Sequence, residues 1–329
     1  MNRLHGHGEA VAAFRAALDS GRLHHAWLVS GPEGVGKSLF AMKAALRVLA
    51  EGQGKLDAPG IDVPDSHSAA RLAAAGSHPD LMRLERLVKE TSSTGELARS
   101  IGIEQVRGLQ RLFSTTASLS PWRAVVIDAI DDLERPAANA LLKNLEEPPA
   151  HSVFLLVSHS PARLLPTIRS RCRQLRLSPL DDDAMAAALR QALPDAEEEE
   201  IAELVRVGEG APGRAIAFRG LDVAGLDAAM RALVEDGDPT GGRRAALAQS
   251  LSLKSAQPRY EAFLTRAPSF IAATARARRG AELAEALRAW ERASDLASGA
   301  VRLSLEPQSV VYELAGILAG LAPRARDAA

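Results

Sequence analysis

Eight consecutive residues, Gly31-Pro32-Glu33-Gly34-Val35-Gly36-Lys37-Ser38, restrict what this chain can fold into more than any other stretch. They fit the phosphate-binding pattern of glycine, four residues, then Gly-Lys-Ser, which has meaning only between a strand and a helix. Both neighbours are present. Ala26–Ser30 is an apolar run of strand length, and Leu39, Phe40, Met42, Ala45, Leu46 and Leu49 recur at helical spacing. The glycines let backbone N–H groups, that of Val35 among them, turn inward around phosphate oxygens, and the new helix points its positive end at the same place. Lys37 adds charge and Ser38 a magnesium ligand. Gly31, Gly34, Val35, Gly36, Lys37 and Ser38 are therefore the nucleotide-binding candidates. The alternatives are a capped turn with no ligand, or a loop that keeps its shape and binds weakly.

With 329 residues and 47% apolar content, the chain can form two or three domains, each with its own core. A single cysteine, Cys172, excludes an intrachain disulfide and a multi-cysteine zinc site, which suits a reducing cytoplasm. Residues 1–9 are polar and histidine-bearing rather than leader-like, and no run of about 18 apolar residues occurs, so a soluble, cytoplasmic protein away from membranes is expected. A formal charge of -1 argues against an autonomous nucleic-acid binder but not against a subunit that shares DNA with neighbours. His24 and His25 lack a carboxylate or cysteine at a convenient spacing and are assigned no metal.

A helix carrying Val11, Phe14, Ala17 and Leu18 precedes the first strand. Residues 51–77 shift to Gly, Pro, Asp, Ser and Ala and mark a surface excursion or short helices. Residues 81–87 alternate as a strand, 92–99 form a polar loop, and Ile103, Val106, Leu109, Leu112 and Phe113 line a helix. Arg123–Asp128 is a buried-type strand ending in a carboxylate, which makes Asp128 the candidate beside the magnesium of a bound nucleotide.

Many ATPases of this architecture place a water-orienting glutamate next; here the residue is Ala129. A methyl group accepts no proton, and loss of a positioned base lowers rates by roughly a hundred- to ten-thousand-fold. Hydrolysis at this site should be slow or absent. Asp131 and Asp132 could substitute as bases, although capping of a helix that begins near Pro136 and covers residues 137–147 is the favoured reading. The next central strand, Ser152–Ser158, delivers Ser158 to the carboxyl edge, where it could touch a terminal phosphate or its water.

Arg169-Ser170-Arg171-Cys172-Arg173 is a cationic cluster with no acidic residue close in sequence. From the residues alone a solvated face is favoured, with a phosphate contact as the alternative. Arg171 could then serve as a finger into a neighbouring subunit's nucleotide, a role worth roughly a thousand- to hundred-thousand-fold elsewhere. After Pro179 the pattern is helical: residues 181–183 cap one helix and the acidic run 197–200 opens another. Gly208, Gly210 and Gly213 make a turn, and Arg214 opens a helix from which it could fold back onto phosphates. From about Leu221 the chain reads all-helical, with stripes of Leu283, Leu287 and Trp290 and of Val310, Leu314, Leu318 and Leu321. A solvated face is favoured for Arg276, Arg278 and Arg279. Such a helical third suggests assembly.

Several segments carry a resemblance: His25-Ala26-Trp27-Leu28, His78-Pro79-Asp80, Ile127-Asp128-Ala129, the stretch from Ala138-Asn139-Ala140-Leu141-Leu142-Lys143 to Pro148, and Thr167-Ile168-Arg169-Ser170-Arg171-Cys172. Over about residues 1–220 the chain resembles the delta-prime subunits of the bacterial DNA polymerase III clamp loader, within the AAA+ superfamily. The resemblance implies an α/β P-loop AAA+ domain with a parallel sheet (residues 1–178), a three-helix lid (179–221) and an all-α collar for oligomerisation (222–329).

It also implies that Arg171 matches the arginine finger acting on ATP of an adjacent tau or gamma subunit, that Arg214 matches the lid's sensor arginine, and that Ser158 falls at the first sensor. The implied partners are tau/gamma and delta clamp-loader subunits, the beta sliding clamp and primer-template DNA, in a five-subunit ring with a gap, and this subunit is comparatively rigid. The implied ligand is ATP or ADP with Mg held by Ser38 and Asp128. Many relatives carry four zinc-binding cysteines after the phosphate loop; residues 57–77 have none, so no zinc module is expected. Some relatives have a degraded phosphate loop, whereas this one is intact, and binding without turnover is expected.

Three functions thus compete. The first is a non-catalytic or weakly hydrolysing clamp-loader subunit. The second is a self-sufficient AAA+ ATPase motor acting on DNA, which would need Asp131 or another group as base. A P-loop kinase for a small molecule is the third; it lacks an identifiable acceptor site and leaves the helical third without purpose.

Overall fold

The computed structural model describes residues 3–89, 95, 97–303 and 305–323. These fall into two compact units, residues 1–216 and 217–329. Half of the polar loop expected at 92–99, residues 92–94 and 96, lies outside the described residues.

The first unit runs α1 (Gly8–Asp19), β1 (Ala26–Ser30), α2 (Lys37–Gln53), α3 (Ser68–Ala74), β2 (Leu81–Glu85), α4 (Ile103–Ser114), β3 (Arg123–Asp128), α5 (Arg135–Glu146), β4 (Ser152–Ser158), α6 (Pro166–Arg169) and β5 (Arg173–Arg176). Three further helices follow, α7 (Asp182–Ala192), α8 (Glu198–Gly208) and α9 (Pro212–Ala217). The described strands form one parallel sheet in the order β2-β3-β4-β1-β5.

β1 and β4 are buried along their whole length, as central parallel strands covered on both faces must be. Alternate residues divide between the faces. Trp27, Val29, Val126, Leu155 and Val157 pack with Phe14 of α1 and Phe40, Ala44 and Val48 of α2. Ala26, Leu28, Val125, Ile127, Phe154 and Leu156 pack with Val106 and Leu109 of α4 and Leu141 and Leu145 of α5. Because every strand runs the same way, Ser30, Asp128 and Ser158 end at one edge, with Ser30 paired to Ser158 and Asp128 to Val157. That edge is where such sheets hold ligands. The fold class expected from the sequence is the one observed.

The excursion after α2 is organised by a single side chain. Arg47, only 2% exposed, donates to Glu51 at 2.8 Å and to the backbone carbonyls of Asp62, Ala58 and Leu56 at 2.6, 2.9 and 3.2 Å. Lys43 adds a 2.7 Å bond to Asp62. A buried guanidinium needs all its donors matched, and this one folds a turn-rich segment around itself to match them.

The second unit is helical throughout: α10 (Val223–Asp236), α11 (Gly242–Leu251), α12 (Gln257–Arg276), α13 (Gly280–Leu303) and α14 (Pro307–Ala319). Its core takes Leu226, Met230, Phe263, Ile271, Val311, Leu314 and Leu318, and a bidentate pair of 2.6 Å bonds joins Arg266 to Asp227. Val310, Leu314, Leu318 and Leu321 are buried, whereas Leu287 is 49% and Trp290 41% exposed. α13 instead packs through its small residues Ala286, Ala289, Ala293 and Ala300. Among the described residues no helix is long and apolar enough to cross a membrane.

Candidate functional site

The loop between β1 and α2 has its glycines where left-handed backbone is required: φ is 77° at Gly34 and 105° at Gly36. Gly36 caps α2, and its carbonyl accepts the first helical bond from Phe40 at 2.9 Å. Lys37 is 3% exposed and curls back over the loop, its Nζ donating to the carbonyls of Gly31 (2.8 Å) and Pro32 (2.6 Å). Burial lowers its pKa to about 8, against the opposing pull of Glu33, Asp131 and Asp128. A cavity of about 310 Å³ opens over the loop, with Gly34, Val35, Gly36, Lys37 and Ser38 as its floor. Leu4, Leu180, Ala188, Pro212 and Ile216 form apolar walls, and Arg3, His5, Gln191 and His159 add polar lining. Apolar walls around a few convergent polar groups are the usual make-up of a small-molecule site.

Two clamps hold the loop. His7, which caps α1 with φ of 57°, donates from Nε2 to the carbonyl of Val35 at 2.9 Å, and burial lowers its pKa. From the other side α9 docks directly on the loop: Gly213 N–H donates to Gly34 O at 2.8 Å. A β-carbon on Gly34 would stand 2.4 Å from Arg214 N, and one on Gly213 would stand 2.9 Å from Gly34 Cα. Two glycines are needed for this approach. The N-terminal segment reaches α7 as well, through bonds of Gln191 with Arg3 and His5 at 3.2 Å.

At the strand edge, Ser38 Oγ donates to Asp128 Oδ1 at 2.9 Å, joining the loop to β3. A hydroxyl and a carboxylate so placed fit a hard cation that keeps several waters and takes its other oxygens from phosphate. Among the described residues no group of three or more His, Cys, Asp or Glu side chains is placed to hold a metal. Asp128 Oδ2 accepts from Arg83 of β2, also at 2.9 Å.

Asp131 and Asp132 do not cap α5. They lie in a 3-10 turn, residues 130–132, and the helix starts at Arg135 behind Glu134. Asp131 accepts from Ser158 Oγ at 3.1 Å and from the N–H groups of His159 (2.8 Å) and Ser160 (3.1 Å), tying β3 to the end of β4. Asp132 pairs with Arg86 at 3.2 Å, and burial raises its pKa. Ser158 is fully buried with its hydroxyl on Asp131; the residue that lines the cavity at this strand end is His159.

Arg214 lies beside the loop, its side chain 14% exposed and paired with Glu209 at 3.1 Å. Arg171 stands apart from the cavity, one-third exposed, donating to Thr167 O and bonded to Glu146 of α5, both at 2.8 Å. Its carboxylate partner lies 25 positions upstream, which explains why the cluster looked unpaired in sequence. The neighbouring Cys172 thiol is pushed up to about 12 by burial, so it is inert at neutral pH. Sequence reasoning missed His7, Arg83, Glu146 and His159; of these only His159, directly after a strand-end serine, had a local signal.

A family model described as DNA polymerase III, delta subunit, matches residues 6–181. A DNA polymerase III subunit delta' of Pseudomonas aeruginosa is 39% identical over 189 residues, 57% of this chain and 53% of that one. The subunit delta' of Escherichia coli is 30% identical over 209 residues, 62% of this chain and 57% of its own. The tau subunit of Escherichia coli is 31% identical over 233 residues, 68% of this chain and 33% of its own. The chain thus spans little more than half the length of the delta' relatives it matches, and the part matched by the family model contains the sheet and the phosphate loop. With that family model covering more than half of its residues, the chain belongs to the DNA polymerase III delta subunit family.

Proposed function

We propose that this chain is a delta-prime-type subunit of a clamp loader, organised as a P-loop AAA+ domain, a lid and a collar, which binds nucleotide with little or no turnover and lends Arg171 to a neighbouring subunit's ATP. The observation that carries the quiet site is the strand edge. Ala129 follows Asp128, and the nearest substitute base, Asp131, already accepts three hydrogen bonds from residues 158–160. Its oxygens are turned to the end of β4 rather than left to meet a water.

In this reading ATP or ADP occupies the cavity with its phosphates on the N–H groups of residues 34–38 and Lys37. Where magnesium binds, Ser38 and Asp128 would hold it, and it would supply phosphate charge neutralisation. Arg214 faces the phosphates from the lid, and Ser158 acts through Asp131 and His159. Arg171, partly exposed and held by one exposed carboxylate, has the accessibility that a group acting on a partner's nucleotide needs. The proposed partners are tau/gamma and delta subunits, the beta sliding clamp and primer-template DNA, in the cytoplasm.

The test is reconstitution of the loader with Arg171→Ala. DNA-stimulated ATPase of the complex should fall at least about a hundredfold at the affected interface; unchanged activity removes the finger assignment. Robust turnover by this chain alone, abolished by Lys37→Ala, would instead favour an autonomous motor.

A further inference from the structure

We propose that Arg83 is the built-in counter-cation of Asp128 and makes nucleotide binding at this site largely independent of divalent metal; this rests on the nucleotide reading above. β2 and β3 are adjacent parallel strands in which Arg83 pairs with Val126 and Glu85 with Asp128. Side chains at 83 and 85, and those at 126 and 128, therefore share one face. The guanidinium of Arg83 reaches diagonally to Asp128 Oδ2 at 2.9 Å and is steadied by Glu85 at 2.8 Å.

The two oxygens of Asp128 are thus divided: Oδ1 takes the Ser38 hydroxyl and Oδ2 takes Arg83, each at 2.9 Å. Asp128 is only 13% exposed and Arg83 42%, so the guanidinium offsets part of the carboxylate charge in a partly desolvated place. Guanidinium stays protonated throughout the working pH range, and the neutralisation is permanent. Magnesium dehydrates reluctantly and is drawn to a site by carboxylate charge. Here the protein offers it one hydroxyl and a carboxylate whose charge is already partly matched, by a guanidinium that also bonds Glu85. The loop N–H groups, Lys37 and Arg214 are the remaining phosphate-binding groups of that reading, and none of them needs a metal. Arg83 is a positioning residue: it acts on nucleotide through Asp128.

The experiment measures the ADP dissociation constant of the full chain by titration calorimetry, in magnesium and in excess EDTA, and compares the ratio of the two. For the native protein the ratio should stay within about threefold, the scale of a carboxylate already paired. Arg83→Gln should raise it to about tenfold or more, through tighter binding in magnesium, and Arg83→Lys should restore the small ratio. Glu85→Gln, which leaves Arg83 to Asp128 alone, should not raise it. A native ratio above about tenfold, or an Arg83→Gln ratio equal to the native one in a variant with an unchanged melting temperature, overturns the proposal while leaving nucleotide binding intact. Absence of ADP binding in both buffers overturns the nucleotide reading and this proposal with it.

Discussion

The two sides of the cavity are built on opposite plans. On the loop side, donors gather around one point: the backbone N–H groups of a glycine-rich turn, a helix N-terminus, and a lysine so buried that its pKa drops to about 8. On the strand side, acceptors are consumed by the protein itself, Asp128 by Ser38 and Arg83 and Asp131 by residues 158–160. Holding a polyphosphate requires the first side, and activating water requires a free carboxylate on the second. The asymmetry teaches that retention and turnover are separable in one pocket.

The harshest way to break this comparison is Lys37→Ala. Removing the buried cation should weaken ADP binding by at least about a hundredfold in calorimetry. Affinity within a few-fold of native would mean the loop side does not do the holding. Next comes Gly213→Ala, whose β-carbon would stand 2.9 Å from Gly34 Cα. Forcing α9 off the loop should lower stability by about 1–3 kcal/mol and ADP affinity by about tenfold, read by thermal unfolding and titration.

The pH profile is of similar size. Phosphate binding needs charged Lys37, so with a pKa of about 8 the affinity should weaken by about tenfold from pH 7 to 9. Lys37→Arg should flatten that profile. In the free protein the sign for stability runs the other way. The folded value lies below the ordinary lysine value of 10.5, so the buried charge is destabilising below pH 8, and that penalty fades as pH rises from about 8 to 10.5. The smallest effect on binding is expected for Asp131→Asn. ADP affinity should stay within about twofold while the melting curve reports a loss of about 1–3 kcal/mol, because this carboxylate works as a strand tie. A large gain or loss of turnover in that variant would show the strand side to be chemically active.

The loop and the central strands were legible because their signals are local: glycine spacing, an apolar run before, helical spacing after. The ends of β3 and β4 were legible for the same reason. What the carboxylates there do was not, since the partners of Asp131 lie 27 to 29 positions downstream and meet it only through parallel pairing. Arg83 is 45 positions from Asp128 and becomes its neighbour by the same route. The apolar stripe on α13 misled in another way. Large residues at helical spacing suggested a buried face, yet Ala286, Ala289 and Ala293 allow the helix to approach its neighbours closely and leave Leu287 and Trp290 outside. Small residues carry little weight in a periodicity and much in a close packing.

The anchoring of the excursion by Arg47 has a consequence for how that segment can vary. Three of the four acceptors around the guanidinium are main-chain carbonyls, a group that every amino acid carries. Exposed side chains such as those of Lys55, Asp57 and Pro59 can therefore be exchanged widely while the chain keeps its course, with buried Ile61 and the Lys43 partner Asp62 held back from such exchange, and replacement of one arginine should loosen the detour.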